Sequence, residues 1–299
     1  MVTIFVSDSV WVPFAPYEKN PLLSHRDYAN HPFQNIGHAD FVRTDSGEWH
    51  VFLLGVRPRS LLRHNLGREV FAKQFSWDGF WPDLRREIRP HEPMPAKQIR
   101  RNCRNYEWRK LKTIPPEWCS VRIDYSDFTE LTPGGLVLKA FAADIGEGGA
   151  TSLLLHRQEE YRFSFTATLD LAVSSGANGI AVLNGGTHHA TMLIENGKIL
   201  IKKQCYDIVQ RETHALEQTE RISLVLRGDE DQYYFGIKEG NKTKIISRMR
   251  TEILATEVSS SPFTGTLFGL FSKGRGTKGI FVDSLILLEE PNYEEHGND

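Results

Sequence analysis

Two short motifs near the start of the chain contain the side chains best suited to binding a ligand. They are Ile36-Gly37-His38-Ala39-Asp40 and Leu66-Gly67-Arg68-Glu69. The imidazole of His38 could present one nitrogen to a ligand while a neighbouring acceptor fixes the other. The guanidinium of Arg68 stays charged at any working pH and offers several fixed donors to a pair of hydroxyl groups. Each also has a structural interpretation, because a lone histidine is often a hydrogen-bonding residue of the scaffold and Arg68 could pair with Glu69.

Short strands must position these two residues. Apolar residues alternate or cluster between Gly, Asp, Asn and Pro breaks in 2–6, 41–43, 49–54 and 69–75. Thr44-Asp45-Ser46-Gly47 has the composition of a hairpin turn. The first 84 residues are therefore predicted to be β-structure.

Residues 85–117 are predicted to be a linker between two domains. Residues 85–112 are rich in proline and arginine and poor in periodic hydrophobicity. The basic run could also be interpreted as a nucleic-acid-binding arm. However, no aromatic residues are interleaved with it as stacking platforms, and the rest of the chain is slightly acidic. We therefore expect a solvated linker and no nucleic-acid partner.

Residues 118–299 have the pattern of an antiparallel β-sandwich. Turns separate short apolar strands at regular intervals, which favours two packed sheets. Asn196-Gly197 and Gly240-Asn241 are two-residue hairpin signals. The predicted strands are 136–140, 162–171, 179–183, 190–194, 199–203, 222–227, 233–238, 267–272 and 280–288. His188-His189 is expected to be a surface pair, and 274–279 a strand connection.

The composition is that of an ordinary soluble protein of one or two domains. The chain has 299 residues, of which 40% are hydrophobic and 25% charged, with a formal net charge of -2. Cys103, Cys119 and Cys205 are too few and too widely spaced for a disulfide framework or a paired-cysteine zinc site. The start lacks a secretory signal, and no apolar run approaches the length of a membrane span. As written, the chain is expected to be cytoplasmic and to have no membrane partner.

Six landmarks resemble those of glycoside hydrolase family 43, the β-xylosidase and α-arabinofuranosidase group, and follow one another in the family's order. The similarity extends over nearly the whole chain and is most specific in the first 84 residues. The landmarks are Ser7-Asp8-Ser9-Val10-Trp11-Val12-Pro13-Phe14, Asn20-Pro21-Leu22-Leu23-Ser24-His25-Arg26, Gly37-His38-Ala39-Asp40, Gly55-Val56-Arg57-Pro58, Leu66-Gly67-Arg68-Glu69 and Trp77-Asp78-Gly79-Phe80-Trp81-Pro82.

The resemblance implies an all-β fold made of two parts. Residues 1–84 would be the last one to two blades of a five-bladed β-propeller, and 118–299 a concanavalin A-like β-sandwich. The family draws its general base, its pKa-modulating aspartate and its general acid from blades upstream of this segment. Its members are often secreted, so the cytoplasmic expectation applies to the chain as written.

We assign no catalytic residue to this chain. Glycoside hydrolysis normally requires two carboxyl groups that flank the scissile bond. Asp8, Asp27, Asp40 and Asp45 lie on segments that match no catalytic position of the family. The sequence therefore predicts a truncated family member that does not catalyse hydrolysis by itself. The alternatives are an active enzyme, a non-catalytic carbohydrate-binding sandwich and an incomplete gene model.

The resemblance also implies substrate-binding roles for three residues. His38 would lie near the floor of the active-site channel, where it could support the sugar or a central ion such as calcium. Arg68 would reach the non-reducing sugar, and Phe263 would cap the pocket from a loop of the sandwich, where an aromatic face excludes water. The expected ligand is a xylo- or arabino-oligosaccharide. No other residues complete a metal site, so we assign neither a metal nor a cofactor.

Three departures from the family pattern suggest a relaxed constraint on the site: Val12, Val70 and Phe80. A partial propeller also leaves apolar strand faces without neighbours, and we expect Phe41, Trp49, Phe52 and Phe71 to be uncovered. Uncovered faces and strand edges favour self-association through the incomplete propeller.

Overall fold

The structure is a computed structural model, and it describes residues 1–59, 62–84, 102–217, 219–259, 263–275 and 279–290. The chain divides into two compact units, Met1–Met94 and Pro95–Asp299. The described residues form strands and a few short 3₁₀ turns, which confirms the predicted all-β class. Within those ranges, no helix is long and apolar enough to cross a membrane.

The first unit contains a two-stranded ribbon and a four-stranded antiparallel sheet. The ribbon pairs β1 (Phe5–Val6) with β2 (Ala15–Pro16). The sheet runs in chain order through β3 (Gln34–Arg43), β4 (Trp49–Val56), β5 (Glu69–Asp78) and β6 (Trp81–Asp83). This meander is the arrangement of a single propeller blade.

The predicted turn between β3 and β4 is confirmed. Gly47 has φ +88°, and its backbone N–H donates to the carbonyl of Thr44 at 2.9 Å. The register beyond the turn pairs Arg43 with Trp49. Val51 and Leu53 therefore point into the core of the blade while Phe52, between them, points outward.

The aromatic side chains expected to be uncovered in the first unit are not all exposed. Phe52 is 39% exposed, as expected. Phe41 and Trp49 are partly buried, because their rings pack on Phe75 with centroids 5.0 and 6.1 Å away. Phe71 is partly buried against Phe33.

The second unit is a sandwich of two antiparallel sheets. Its strands are β7 (Asn102–Tyr106), β8 (Trp118–Cys119), β9 (Thr129–Thr132), β10 (Gly135–Leu138), β11 (Ser152–Arg157), β12 (Arg162–Asp170), β13 (Ala177–Leu183), β14 (His188–Glu195), β15 (Lys198–Cys205), β16 (Ile208–Ala215), β17 (Arg221–Gly228), β18 (Gln232–Glu239), β19 (Lys242–Arg250), β20 (Leu267–Lys273) and β21 (Ile280–Glu290). One sheet has eight strands in the order β19-β18-β17-β12-β21-β10-β9, with β7 also paired to β21. The other has seven strands in the order β16-β15-β14-β13-β20-β11-β8.

Alternating side chains of the two sheets form one core. In β12, Phe163, Phe165, Ala167 and Leu169 are buried, and the residues between them are less so. Ile180, Met192 and Ile201 are among the residues that meet them from the seven-stranded sheet. Face-to-face packing of this kind is what the regular strand spacing predicted.

The Asn-Gly hairpin between β14 and β15 is also confirmed. Asn196 and Gly197 have φ +49° and +70°, and Glu195 pairs with Lys198 across the turn. Positive φ at both central residues is what a two-residue hairpin of the I′ type requires.

The sandwich begins earlier in the chain than the residue 118 that we expected. Of the predicted linker, 85–101 lies outside the described residues, but 102–106 forms β7 and pairs with β21. Trp108 follows in a 3₁₀ turn and is completely buried in the sandwich core. Arg104 donates to His156 Nε2 at 2.6 Å and to Glu159 at 2.9 Å. Partners remote in sequence therefore hold in place a segment whose composition resembles a linker.

His188 and His189 are not a surface pair, because both side chains are buried. The Nδ1 atom of His189 donates to the carbonyl of Gly186 at 2.9 Å. Burial, together with the nearby charge of Lys202, lowers the pKa of His189 to about 4. Burial also lowers the pKa of His188. The part of the chain that the structure describes has no cluster of three or more His, Cys, Asp or Glu side chains able to hold a metal ion.

Replacing Trp108 tests whether the segment before residue 118 belongs to the sandwich. Trp108→Ala removes a fully buried indole and should lower the free energy of unfolding by about 3–5 kcal/mol. The control is Val173→Ala, whose side chain is 54% exposed and whose loss should change that free energy by less than about 0.5 kcal/mol. Denaturant titrations followed by circular dichroism measure both. Equal midpoints for Trp108→Ala and the wild type would place this segment outside the sandwich.

His189 should make the sandwich less stable in mild acid. Its pKa is 6.5 for the free side chain and about 4 in the fold, so between these values the unfolded chain binds a proton that the folded chain does not. The free energy of unfolding therefore falls as the pH falls from 6.5 towards 4, by on the order of 2 kcal/mol at about pH 5. Unfolding titrations across this window should show a flatter pH dependence for His189→Gln. An unaltered slope for His189→Gln would contradict the assignment.

Candidate functional site

His38 lies in a distorted part of the edge strand β3. The register between β3 and β4 shifts twice, between Gln34 and Gly37 and between Gly37 and Asp40. Asn35 and His38 each have φ +55°, which is unusual for residues other than glycine. Bulges of this kind bend a strand and redirect a side chain. The imidazole of His38 is exposed as a result.

Arg68 lies immediately before β5, at the same end of the four-stranded sheet as His38. Gly37 pairs with Leu54 of β4, and Leu54 pairs with Val70 of β5, so only the width of β4 separates the two segments. Gly67 turns the chain into β5 with φ +71°, and the side chain of Arg68 is exposed. The fold therefore places two of the three predicted site residues at one end of one sheet.

Glu69 is engaged by an arginine other than its neighbour in sequence. The Nε and Nη2 atoms of Arg57 each donate to the carboxylate at 2.9 Å, in a two-pronged ion pair. Both side chains are 26% exposed. Arg57 had no predicted role, although Gly55-Val56-Arg57-Pro58 is one of the six landmarks and contains the signal for it.

The four aspartates that match no catalytic position of the family lie at the surface. Asp8, Asp27, Asp40 and Asp45 are all exposed. A carboxyl that holds a proton for acid catalysis is typically buried among apolar groups. Their exposure agrees with surface and turn positions.

Phe263 lies in the second unit, in the turn that leads to β20. Its side chain is 57% exposed, so it is not a core phenylalanine. The role of a cap over the sugar site stays a prediction.

A polar cleft that sequence analysis did not predict lies on the outer face of the seven-stranded sheet. In β15, Ile199 and Ile201 belong to the sandwich core, whereas Leu200 and Lys202 point to the other face. The connection from β10 to β11 adds Asp144, and the cleft encloses about 560 Å³. The sequence signal for this second face is the stretch Lys198-Ile199-Leu200-Ile201-Lys202, in which every second side chain points to the same face.

Two ammonium groups share one carboxylate in this cleft. Lys202 and Lys273 lie 3.5 and 3.1 Å from Asp144 Oδ2. Burial acts to raise the pKa of Asp144, but the hydrogen bond from Lys273 and the charge of Lys202 outweigh it. The pKa of Asp144 therefore lies below its ordinary value, and the carboxylate stays ionised.

Comparison with protein families matches both units. Residues 1–82 match the glycosyl hydrolases family 43 model. Residues 108–283, more than half of the chain, match the β-xylosidase C-terminal concanavalin A-like domain. The predicted order of a propeller segment followed by a sandwich of this type is confirmed.

Curated relatives share this match. A non-reducing end α-L-arabinofuranosidase of Bacteroides ovatus is 29% identical over 288 residues, which cover 90% of this chain and 54% of the relative. A xylosidase/arabinosidase of Butyrivibrio fibrisolvens is 22% identical over 311 residues, which cover 97% of this chain and 59% of the relative. The chain thus spans a little over half the length of these relatives.

Solved structures show the same fold. A family 43 protein from a xyloglucan locus of Bacteroides ovatus superimposes with a TM-score of 0.78 at 26% identity, over 95% of this chain and 59% of that one. A xylan β-1,4-xylosidase from Bacillus halodurans gives 0.81 at 18% identity, over 96% and 60%. With both units matched by family models, the chain belongs to glycoside hydrolase family 43, whose members act on polysaccharides.

Proposed function

We propose that this chain binds xylose- or arabinose-containing oligosaccharides through His38 and Arg68, as part of a family 43 glycosidase. The observation that carries the proposal is the exposure of both side chains at one end of the blade, with His38 in a left-handed bulge. Non-glycine residues in this conformation are found preferentially at functional sites. The names of the relatives supply the two sugars.

The two side chains suit different parts of a sugar. The guanidinium of Arg68 can donate to two vicinal hydroxyl groups in one plane. The imidazole of His38 can donate to or accept from a third hydroxyl. Together they would fix the orientation of one terminal sugar.

The proposal assigns neither the acid nor the base of hydrolysis to a residue of this chain. Hydrolysis requires two carboxyl groups about 5–9.5 Å apart on either side of the bond. Both oxygens of Glu69 are already occupied by Arg57, so that residue is not placed to attack a sugar or to protonate one. Because the chain spans 54% of the arabinofuranosidase, the activity of the complete enzyme enters only as a proposal.

Self-association is the second part of the proposal, and exposed apolar side chains of the first unit favour it. Val10, Trp11, Val70 and Phe80 are each at least two-thirds exposed. Large exposed apolar side chains favour association in water. Size-exclusion chromatography with light scattering should show a species larger than a monomer, shifted towards the monomer by Trp11→Ser. A compact monomer at every concentration would contradict this part.

Calorimetric titration with xylo- and arabino-oligosaccharides tests the sugar site. Arg68→Ala should weaken binding by about tenfold or more, because a two-pronged guanidinium contact is lost, and Arg68→Lys should restore it only in part. The control is Arg43→Ala, an exposed arginine at the opposite end of β3. It should leave the affinity unchanged.

Two outcomes would contradict the proposal. A saturable signal that is insensitive to both Arg68→Ala and His38→Ala, or no signal at all, would remove the sugar site. Hydrolysis of nitrophenyl xyloside or arabinofuranoside that survives purification and mutational controls would show that the chain does contain a catalytic pair.

A further inference from the structure

We propose that the cleft on the outer face of the seven-stranded sheet is a second saccharide site, selective for sugars that carry a carboxylate. The choice of a saccharide rests on the proposed function. The site itself involves neither His38 nor Arg68, so it can be tested separately.

The cleft has the size and lining of a small-molecule site. Its volume of about 560 Å³ lies within the range of roughly 300–1,000 Å³ that is usual for such sites. Ala177, Leu193 and Leu200 form an apolar floor on which the C–H face of a sugar ring can rest. Charged and hydroxyl side chains surround this floor and can orient the ring.

The strand register brings two cations together at one side of the cleft. Lys202 of β15 lies directly opposite Thr191 of β14 and Arg211 of β16. Residues opposite one another in antiparallel strands have Cβ atoms about 4.5–5.5 Å apart, and like charges at such positions are destabilising. A carboxylate bound between Lys202 and Arg211 would relieve this repulsion.

The cleft is lined by four acidic and four basic residues, but within the described residues none of the acidic ones forms an ion pair with Arg211. Asp144 is shared between Lys202 and Lys273, so one positive charge remains in that group of three. Glu212 contacts Lys203 at 2.6 Å and accepts from Ser247 of the other sheet. Arg211 is exposed and has no ion-pair partner in the part of the chain that the structure describes.

The wall that contains Asp144 is held in place before any ligand binds. The backbone N–H of Asp144 donates to Glu147 at 2.8 Å. Gly146 has φ +90° and lies so close to Gly186 that a Cβ atom there would be 2.6 Å from the Gly186 carbonyl oxygen. A fixed wall lowers the entropic cost of binding.

These features divide the recognition of an acidic sugar among separate groups. The carboxylate of a uronic acid would lie between Lys202 and Arg211. The carboxylate of Asp144 and the hydroxyl of the exposed Thr213 would take sugar hydroxyl groups. A neutral sugar could make the hydroxyl contacts but has no carboxylate to place between Lys202 and Arg211. This difference is the origin of the selectivity.

Calorimetry on the full chain tests this site, in the Arg68→Ala background so that the blade contributes little. The probe is a xylo-oligosaccharide with one glucuronic acid substituent, and its comparator is the unsubstituted oligosaccharide of the same length. We expect the acidic probe to bind saturably and about tenfold or more tightly than the neutral one, with an affinity that falls as salt is added.

The variant Arg211→Ala should reduce affinity for the acidic probe by about tenfold or more and leave the neutral one unaffected. The control is Arg248→Ala, which replaces an exposed arginine on β19 of the other sheet and should change the affinity for neither probe.

Equal binding of the two probes, or an affinity for the acidic probe that Arg211→Ala does not change, would overturn the proposal. Displacement by sulfate as effective as that by free glucuronate would also overturn it, because the cleft would then bind anions in general. Restoring Arg68 should add blade binding for both probes and leave the effect of Arg211→Ala on the acidic probe unchanged, so failure of this site and failure of the blade site are distinguishable.

Discussion

The period of two along each strand is the constraint on which the rest of this structure depends. In β15, Ile199 and Ile201 bury one face of the sheet, and Lys202 belongs to the cleft on the other. In β4, Val51 and Leu53 are buried and Phe52 is not. A register slip of one residue would exchange the faces and bury an ammonium group in an apolar core. The hydrophobic core and the cleft are therefore set by the same alternation.

The sequence was sufficient to predict elements whose signals are local. The Asn196-Gly197 hairpin and the alternating strand β12 could be predicted because turn chemistry and period appear within a few residues. Strand β16 was missed because it is an edge strand whose side chains are mostly polar on both faces. Strand β7 was missed because its backbone pairs with β21, far away in the chain, and because it lies in an arginine-rich stretch that suggested solvent.

The candidate sites show the same division between local and long-range information. A motif was enough to select His38, but its left-handed backbone and the bulge around it depend on pairing with β4. Likewise, nothing in the sequence indicated that β14 is covered on both faces, so that His189 is buried instead of exposed. The cleft was beyond prediction because Asp144, Lys202 and Lys273 meet only when three separate segments, the β10–β11 connection, β15 and β20, have folded together.

Ion pairs in this protein matter more for position than for stability. Arg109 with Asp283 and Arg162 with Glu230 join segments that are remote in sequence, and each has a largely exposed arginine. Pairs of this kind contribute about 0–1 kcal/mol each, because water screens them and ordering two side chains costs entropy. Asp144 differs from these single pairs because it contacts two ammonium groups, and these come from two different strands of the sheet beneath it. Weak as each contact is, together they determine where the wall of the cleft stands and therefore which charges a ligand would meet.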